Sequence, residues 1–118
     1  MARRMRIRGE EVEVTVELDE GAVASELWER LPMRTKARIS GGEVHFPVLI
    51  STGAEPGNQT DVEAGHVAYH PPENAVCLFY DKASERTNLT PLGRIVEGLE
   101  DCRRIDANED LRIEPVEG

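Results

Sequence analysis

The chain has 118 residues, of which 23 are acidic and 14 basic, and its formal net charge is -9. A chain of this length forms one domain, in which about two-thirds of the surface of the unfolded chain is buried. The negative charge disfavours contact with nucleic-acid phosphates and anionic membranes. We therefore expect a single domain over residues 1–118 that binds neither nucleic acid nor membrane.

The N-terminal segment, residues 1–8, is basic but lacks the apolar stretch that follows such a start in a secretory signal. No run in the chain approaches the roughly 20 apolar residues of a membrane span. We therefore predict a cytoplasmic protein. In that reducing compartment Cys77 and Cys102 are expected to be buried, inert thiols, and their spacing matches no metal-binding motif.

The first predicted elements are two strands and a helix. Residues 11–18 alternate, with apolar side chains at positions 12, 14, 16 and 18, which is the pattern of a strand with one buried face. Residues 4–8 also alternate and predict a strand that turns near Gly9. Residues 22–31 carry apolar side chains at helical spacing before Pro32, which predicts an amphipathic helix lying on a sheet.

The middle of the chain contains a predicted hairpin and a strongly apolar strand. Residues 37–50 alternate around Gly41 and Gly42, which indicates a hairpin, and Pro47 is expected to place its strand at an edge or a bulge. Residues 75–80 are apolar on both faces, as in a strand buried on both sides. The polar stretches 51–65 and 81–88 are predicted loops.

The remaining predicted elements are strands over residues 65–69, 92–98 and 110–115, a turn over residues 71–74 and a short helix over residues 99–105. The total is seven or eight short strands and two helices. Short strands closed by frequent turns are typical of a β-barrel or a β-sandwich. We therefore predict a mainly β protein.

Residues 92–105, with the sequence LGRIVEGLEDCRRI, resemble the strand, turn and helix of cyclophilins. In this resemblance Gly98 permits a tight turn and Leu99 packs the helix against the barrel. Residues 65–80 and the Glu43–Phe46 segment after the paired glycines are similar to free-standing prokaryotic domains of cyclophilin-like fold, whose function is mostly unassigned. The resemblance covers nearly the whole chain and implies a closed antiparallel β-barrel capped by two helices.

The resemblance does not imply the peptidyl-prolyl isomerase activity of true cyclophilins. Those enzymes resemble one another around Phe-His-Arg, Gln-Gly-Gly and Gln-Phe-Phe segments, where this chain has residues 33–39, 40–42 and 77–79 without those patterns. Isomerases are thought to stabilise a twisted imide by an arginine hydrogen bond beside an apolar proline pocket. Arg34 and Arg38 are the candidates for such an arginine, and the spacing selects neither.

Other catalytic or metal-binding patterns are weak. His66 and His70 are four residues apart, but on a strand that spacing spans about 13 Å, so a shared metal ion is not predicted. His45 is interpreted as a partly buried strand residue in preference to a catalytic base. The chain contains no nucleophile elbow and no phosphate-binding glycine loop. We predict no cofactor and no metal.

The Pro-Pro turn is the place where we expect a ligand. The candidate ligand-binding residues are aromatic or histidine side chains beside the turn and on the predicted hairpin: His45, Phe46, Tyr69, His70, Phe79 and Tyr80. Tyrosine and histidine carry a polar tip on an apolar body, which suits a groove for a peptide or a small molecule. A purely structural role explains the turn about as well.

The sequence thus favours a barrel that binds a peptide or a small molecule without catalysis. The alternatives are a weak peptidyl-prolyl isomerase and a homodimeric interaction module that pairs through an edge strand.

Overall fold

The structure of the protein is a computed structural model that describes residues 3–51, 62–81 and 89–116. In these residues nine antiparallel strands form one sheet that curves into a nearly closed barrel. The strands are β1 (Arg3–Arg8), β2 (Glu13–Leu18), β3 (Met33–Lys36), β4 (Arg38–Ser40), β5 (Glu43–Pro47), β6 (His66–His70), β7 (Ala75–Phe79), β8 (Thr90–Glu97) and β9 (Asp110–Val116).

Three helical segments accompany the sheet: the helix α1 (Ala22–Glu29), a 3-10 turn (Pro71–Glu73) and a longer 3-10 helix (Leu99–Arg104). Helix α1 buries Val23, Ala24 and Leu27 against the barrel core. No helix within the described ranges is long and apolar enough to cross a membrane.

The strands follow the order β3-β9-β1-β2-β8-β6-β7-β5-β4 around the barrel. Its two edge strands, β3 and β4, are consecutive in the chain and are joined by the buried Ala37. Strand β4 pairs with β5 only over Glu43–His45, so the last part of β5 has no neighbour on that side. There the Thr35 hydroxyl donates to the Pro47 carbonyl over 3.0 Å. We call this junction of β3 with the end of β5 the seam.

The buried core contains the apolar positions of the alternation predicted from the sequence. Val12, Val14, Val16 and Leu18 are buried, and so is every residue of β7. The side chains of Val76 and Leu78 enter the barrel core, and Cys77 and Phe79 belong to a second cluster, with Ala68 and Leu89. Strand β7 is therefore buried on both faces, as its apolar sequence predicts.

The structure corrects two expectations about the strands. Residues 33–36 form a ninth strand that the sequence does not indicate, because Met-Arg-Thr-Lys has no clear apolar alternation and the strand exists through its pairing with β9. Strand β5 is not an edge strand, since it pairs with both β4 and β7. Pro47 is tolerated because it is the last residue of β5, where β4 has already ended.

The predicted helix over residues 99–105 is the 3-10 helix, and it begins after Gly98 with φ at 85°. A Cβ atom at Gly98 would lie 2.4 Å from the Glu13 carbonyl oxygen, which confirms the tight turn. The fully packed residues of this segment are Cys102 and Ile105, whereas Leu99 is only partly buried. Most of the predicted loops 51–65 and 81–88 lies outside the described residues.

Gly93 provides a test of the barrel packing, because a Cβ atom there would lie 2.0 Å from the Glu17 carbonyl oxygen. We expect Gly93→Ala to push β8 away from β2 and to lower the free energy of unfolding by about 3 kcal/mol or more, the upper end for overpacked sites. The measurement is urea denaturation. Gly41→Ala is the matched control, since nothing lies within 4 Å of its Cβ position, and it should change stability by less than about 0.5 kcal/mol.

Cys102 provides a test at high pH. Burial, followed by the nearby Asp101 carboxylate, raises the pKa of the Cys102 thiol from its ordinary 9.0 to about 11. The fold therefore favours the neutral thiol, and this stabilisation is complete below pH 9 and is lost as the pH rises towards 11. Over that range the wild type should lose on the order of 2 kcal/mol more than Cys102→Ala. Parallel stability curves for the two proteins would contradict the assignment.

Candidate functional site

Three of the aromatic residues predicted to bind a ligand are buried. Phe46 has no exposed surface and lies in the barrel core, and Phe79 has none in the second cluster. Tyr69 is 2% exposed, and its hydroxyl donates to the Asn74 side-chain oxygen. Burial and, next, the Glu26 carboxylate raise the pKa of the Tyr69 hydroxyl, so it remains a neutral donor. Within residues 3–51, 62–81 and 89–116 these three rings are covered by packed side chains.

Tyr80 lies far from the Pro-Pro turn, because the turn precedes β7 and Tyr80 follows it. The Arg103 guanidinium lies 4.9 Å from the centre of the Tyr80 ring, in a cation–π contact. The structure therefore places Tyr80 beside the 3-10 helix of residues 99–104, away from His70.

The two remaining predicted residues, His45 and His70, are brought together through a carboxylate. His45 Nε2 lies 3.7 Å from Glu73 Oε2, and His70 Nδ1 lies 3.5 Å from Glu73 Oε1. On the other side, His45 Nδ1 lies 3.5 Å from Glu43 Oε2. We call these four residues the histidine–carboxylate cluster. Alternation along β5 puts Glu43 and His45 on the same outer face, and the 3-10 turn carries Glu73 over them.

The cluster is largely buried, since the side chains of Glu43 and His45 are only 4% and 8% exposed. Sequence reasoning missed Glu43 and Glu73, although their spacing from the two histidines was a usable signal.

His66 is not part of the cluster, and its Nδ1 accepts the Glu63 backbone N–H over 3.2 Å. Among the described residues no group of three or more histidine, cysteine, aspartate or glutamate side chains could hold a metal ion. The arrangement can hold the turn against the barrel and exchange protons.

A cleft opens at the seam of the barrel, with a volume of about 380 Å³. Strand β3, the end of β5 and the residue after α1 build it, because β4 turns away and leaves this gap unfilled. We call it the seam cleft, and its lining combines apolar and cationic side chains: Arg30, Met33, Arg34, Thr35, Pro47, Val48 and Leu49. Leu49 is 78% exposed and forms part of the apolar lining of the cleft.

Of the two arginines of the seam cleft, Arg30 has a carboxylate partner among the described residues and Arg34 has none. Arg30 lies 2.9 Å from the Glu26 carboxylate, which also accepts the Ser51 backbone N–H over 2.9 Å. The Arg34 side chain makes no hydrogen bond and no ion pair within the described ranges. Its guanidinium is therefore available to a carbonyl oxygen or an anion beside an apolar wall.

Arg38, the other arginine suggested for isomerase chemistry, is placed differently. It pairs with His45 across β4 and β5, on the outer face of the sheet, and does not line the seam cleft. Sequence reasoning therefore included one cleft residue, Arg34, without selecting it. Met33, Val48 and Leu49 were missed, because only closure of the sheet makes them neighbours.

Comparison with known proteins agrees with this architecture. The model of the family described as Cyclophilin-like matches residues 3–114. The hypothetical protein AF2241 from Archaeoglobus fulgidus is 30% identical in sequence, with 96% of this chain and 94% of that chain covered and a TM-score of 0.81.

The structure of McbB in complex with tryptophan is 16% identical, with 93% of this chain and 44% of that chain covered and a TM-score of 0.68, a likeness of fold alone. Comparison with curated proteins gives no match. The match to the family model over nearly the whole length, on a nearly closed antiparallel barrel, shows that the chain belongs to the cyclophilin-like family.

Proposed function

We propose that the protein binds a small organic molecule or a short peptide segment in the seam cleft. The observation that carries this proposal is a cleft of about 380 Å³ that places the uncompensated Arg34 beside apolar side chains. Ligand pockets typically measure about 300–1,000 Å³ and combine an apolar lining with a few polar groups. The exposed Leu49 is an apolar surface that a ligand would cover.

The similar structures support ligand binding as a class of function, and they do not identify the ligand. McbB, which shares the fold, is described in complex with tryptophan. A molecule of amino-acid size suits a cleft of about 380 Å³. A fold by itself carries no function, so the proposal rests on the residues of the cleft.

The histidine–carboxylate cluster is the alternative place for the ligand. His45 and His70 lie there, and the side chain of Glu73 is 42% exposed, so polar atoms of the cluster reach solvent. In that case the buried rings of Phe46, Tyr69 and Phe79 would support the site only through packing in the protein interior. Ligand titrations followed by NMR distinguish the two candidate sites, because the cluster and the cleft are formed by different residues.

Leu49 tests the seam cleft directly. A fragment that binds there should shift the resonances of Val48 and Leu49, and Leu49→Ala should weaken its affinity about tenfold, as expected for a lost contact with a leucine side chain. Calorimetry measures the affinity. Ile39→Ala is the matched control, since Ile39 is 40% exposed and lies outside the cleft. Fragments that shift only His45 and His70 would move the site to the cluster.

A weak peptidyl-prolyl isomerase is the second candidate function. Arg34 is favoured over Arg38 because it lies beside Met33, Val48 and Leu49, so a guanidinium and an apolar wall occur together as isomerisation requires. An electrostatic contribution of this kind needs no covalent step.

A protease-coupled proline-peptide assay tests this activity. If the protein accelerates isomerisation, Arg34→Ala should lower the rate at least about tenfold, as for the loss of one transition-state hydrogen bond, while Arg38→Ala leaves it unchanged. Equal losses in both variants would contradict the role of Arg34. A rate equal to the uncatalysed one would remove the enzyme function altogether.

A homodimer formed through an edge strand has less support. The edge strands β3 and β4 have only 4 and 3 residues. Short edges of this kind disfavour pairing with a second chain.

A further inference from the structure

Three arginines stand in one row across neighbouring strands. Arg34 on β3 is directly opposite Arg112 on β9, and Arg112 is directly opposite Arg8 on β1. All three side chains are exposed on the outer face of the barrel. We call them the arginine row. Side chains directly opposite on antiparallel strands are close neighbours, with Cβ atoms about 5 Å apart.

The carboxylates around the row leave two of its members uncompensated. Arg8 lies 3.7 Å from Glu13 and 3.6 Å from Glu114. The side chains of Arg34 and Arg112 make no hydrogen bond and no ion pair in the part of the chain that the structure describes.

Two other carboxylates border the row. Asp110 lies 3.6 Å from Lys36, and Glu10 is exposed at the rim. Neither forms an ion pair with Arg34 or Arg112 among the described residues. Arg34 and Arg112 are therefore two neighbouring cations without a carboxylate partner in this part of the surface.

The chain has 23 acidic residues and a net charge of -9, and yet these two neighbouring arginines have no carboxylate partner among the described residues. Like charges directly opposite on paired strands destabilise a sheet, and a local conflict of this kind is typical of functional sites. Two adjacent guanidinium groups present planar sets of N–H donors that match the oxygens of a carboxylate or a phosphate. An anion between them would relieve the repulsion.

The row borders a hollow of about 370 Å³ that continues the site. The hollow is lined by Arg8, Gly9, Glu10, Arg34, Asp110, Leu111 and Arg112. Arg34 lines both this hollow and the seam cleft. A single ligand can therefore contact the row with one end and the apolar wall of the cleft with the other.

We propose that the ligand of the seam cleft is an amphipathic oxyanion. Its carboxylate or phosphate binds between Arg34 and Arg112, and its apolar part packs on Met33, Val48 and Leu49. This inference rests on the proposed function, because it names the class of ligand that the same cleft receives. Arg8 is paired with its own carboxylates and is not part of the proposed anion contact.

The test uses phenylacetate, phenyl phosphate and the neutral benzyl alcohol as probes at low ionic strength. Both anions should bind more tightly than the alcohol and should shift resonances of Leu49 and of the arginine row. Arg34→Gln and Arg112→Gln should each weaken anion binding about tenfold or more, as for a lost charge-assisted hydrogen bond. Added salt should weaken anion binding as well. The tighter of the two anions identifies the acidic group.

Arg38→Gln is the matched control, since Arg38 is an exposed arginine outside both the cleft and the hollow. It should leave all affinities unchanged. If anions and alcohol bind the cleft equally, the proposed function stands and the oxyanion assignment fails. If no probe shifts Val48 or Leu49, the proposed function fails with it.

Thermal unfolding without ligand gives an independent measurement. At low ionic strength Arg34→Gln and Arg112→Gln should each raise Tm, because each removes a like-charge contact. Anions should then raise the Tm of the wild type more than that of either variant. A lower Tm in both variants, with unchanged affinity for the anions, would overturn the inference.

Discussion

A sheet becomes a barrel only if its first and last strands meet, and in this protein those two strands are consecutive in the chain. Strands β3 and β4 are separated by Ala37 alone. The Ala37 backbone N–H donates to the Glu109 carbonyl over 2.9 Å, and its carbonyl accepts the Asn108 N–H over 2.8 Å. These two bonds fix the corner at which β3 stays with β9 and β4 crosses to β5.

The same corner creates the candidate site. Because β4 has only 3 residues, it satisfies one side of β5 as far as His45 and leaves the rest unpaired. The gap is bridged by the Thr35 hydroxyl and remains open beside Val48 and Leu49. The cleft is thus the part of the barrel wall that the shortest strand does not complete. At this gap a ligand can contact the apolar side chains of Val48 and Leu49 together with the side chains of the adjoining strand β3.

Several charges on the outer face form cross-strand pairs, such as Arg4 with Glu17 at 3.3 Å. Exposed pairs of this kind contribute little stability. Arg34 and Arg112 are directly opposite each other without such a pair among the described residues, and the histidine–carboxylate cluster places ionisable groups in a largely buried position. Binding chemistry is inferred from such departures, since the barrel itself requires neither of them.

Much of the barrel follows from sequence patterns. The alternation at positions 12, 14, 16 and 18, the doubly apolar β7 and the turn at Gly98 each predict the element that is found. Strand β3 was missed because its residues carry no alternation of their own. Pro47 predicted an edge or a bulge for the whole strand, whereas only the end of β5 lacks a neighbour, because β4 stops opposite His45. In both cases the outcome depends on pairing with another strand, which is β9 for β3 and β4 for β5, and such pairing is a tertiary contact.

By itself, the sequence determined most of the segments that become strands, which faces of those strands are apolar, and that the chain resembles the cyclophilin-like family. These properties depend on side chains two to four positions apart, which local periodicity records. Only the tertiary structure decided that Arg8, Arg34 and Arg112 form one row, that Arg34 adjoins Leu49, and that His45 meets His70 through Glu73. Those neighbours come from the register between strands and from the closure of the sheet, and no local pattern specifies either.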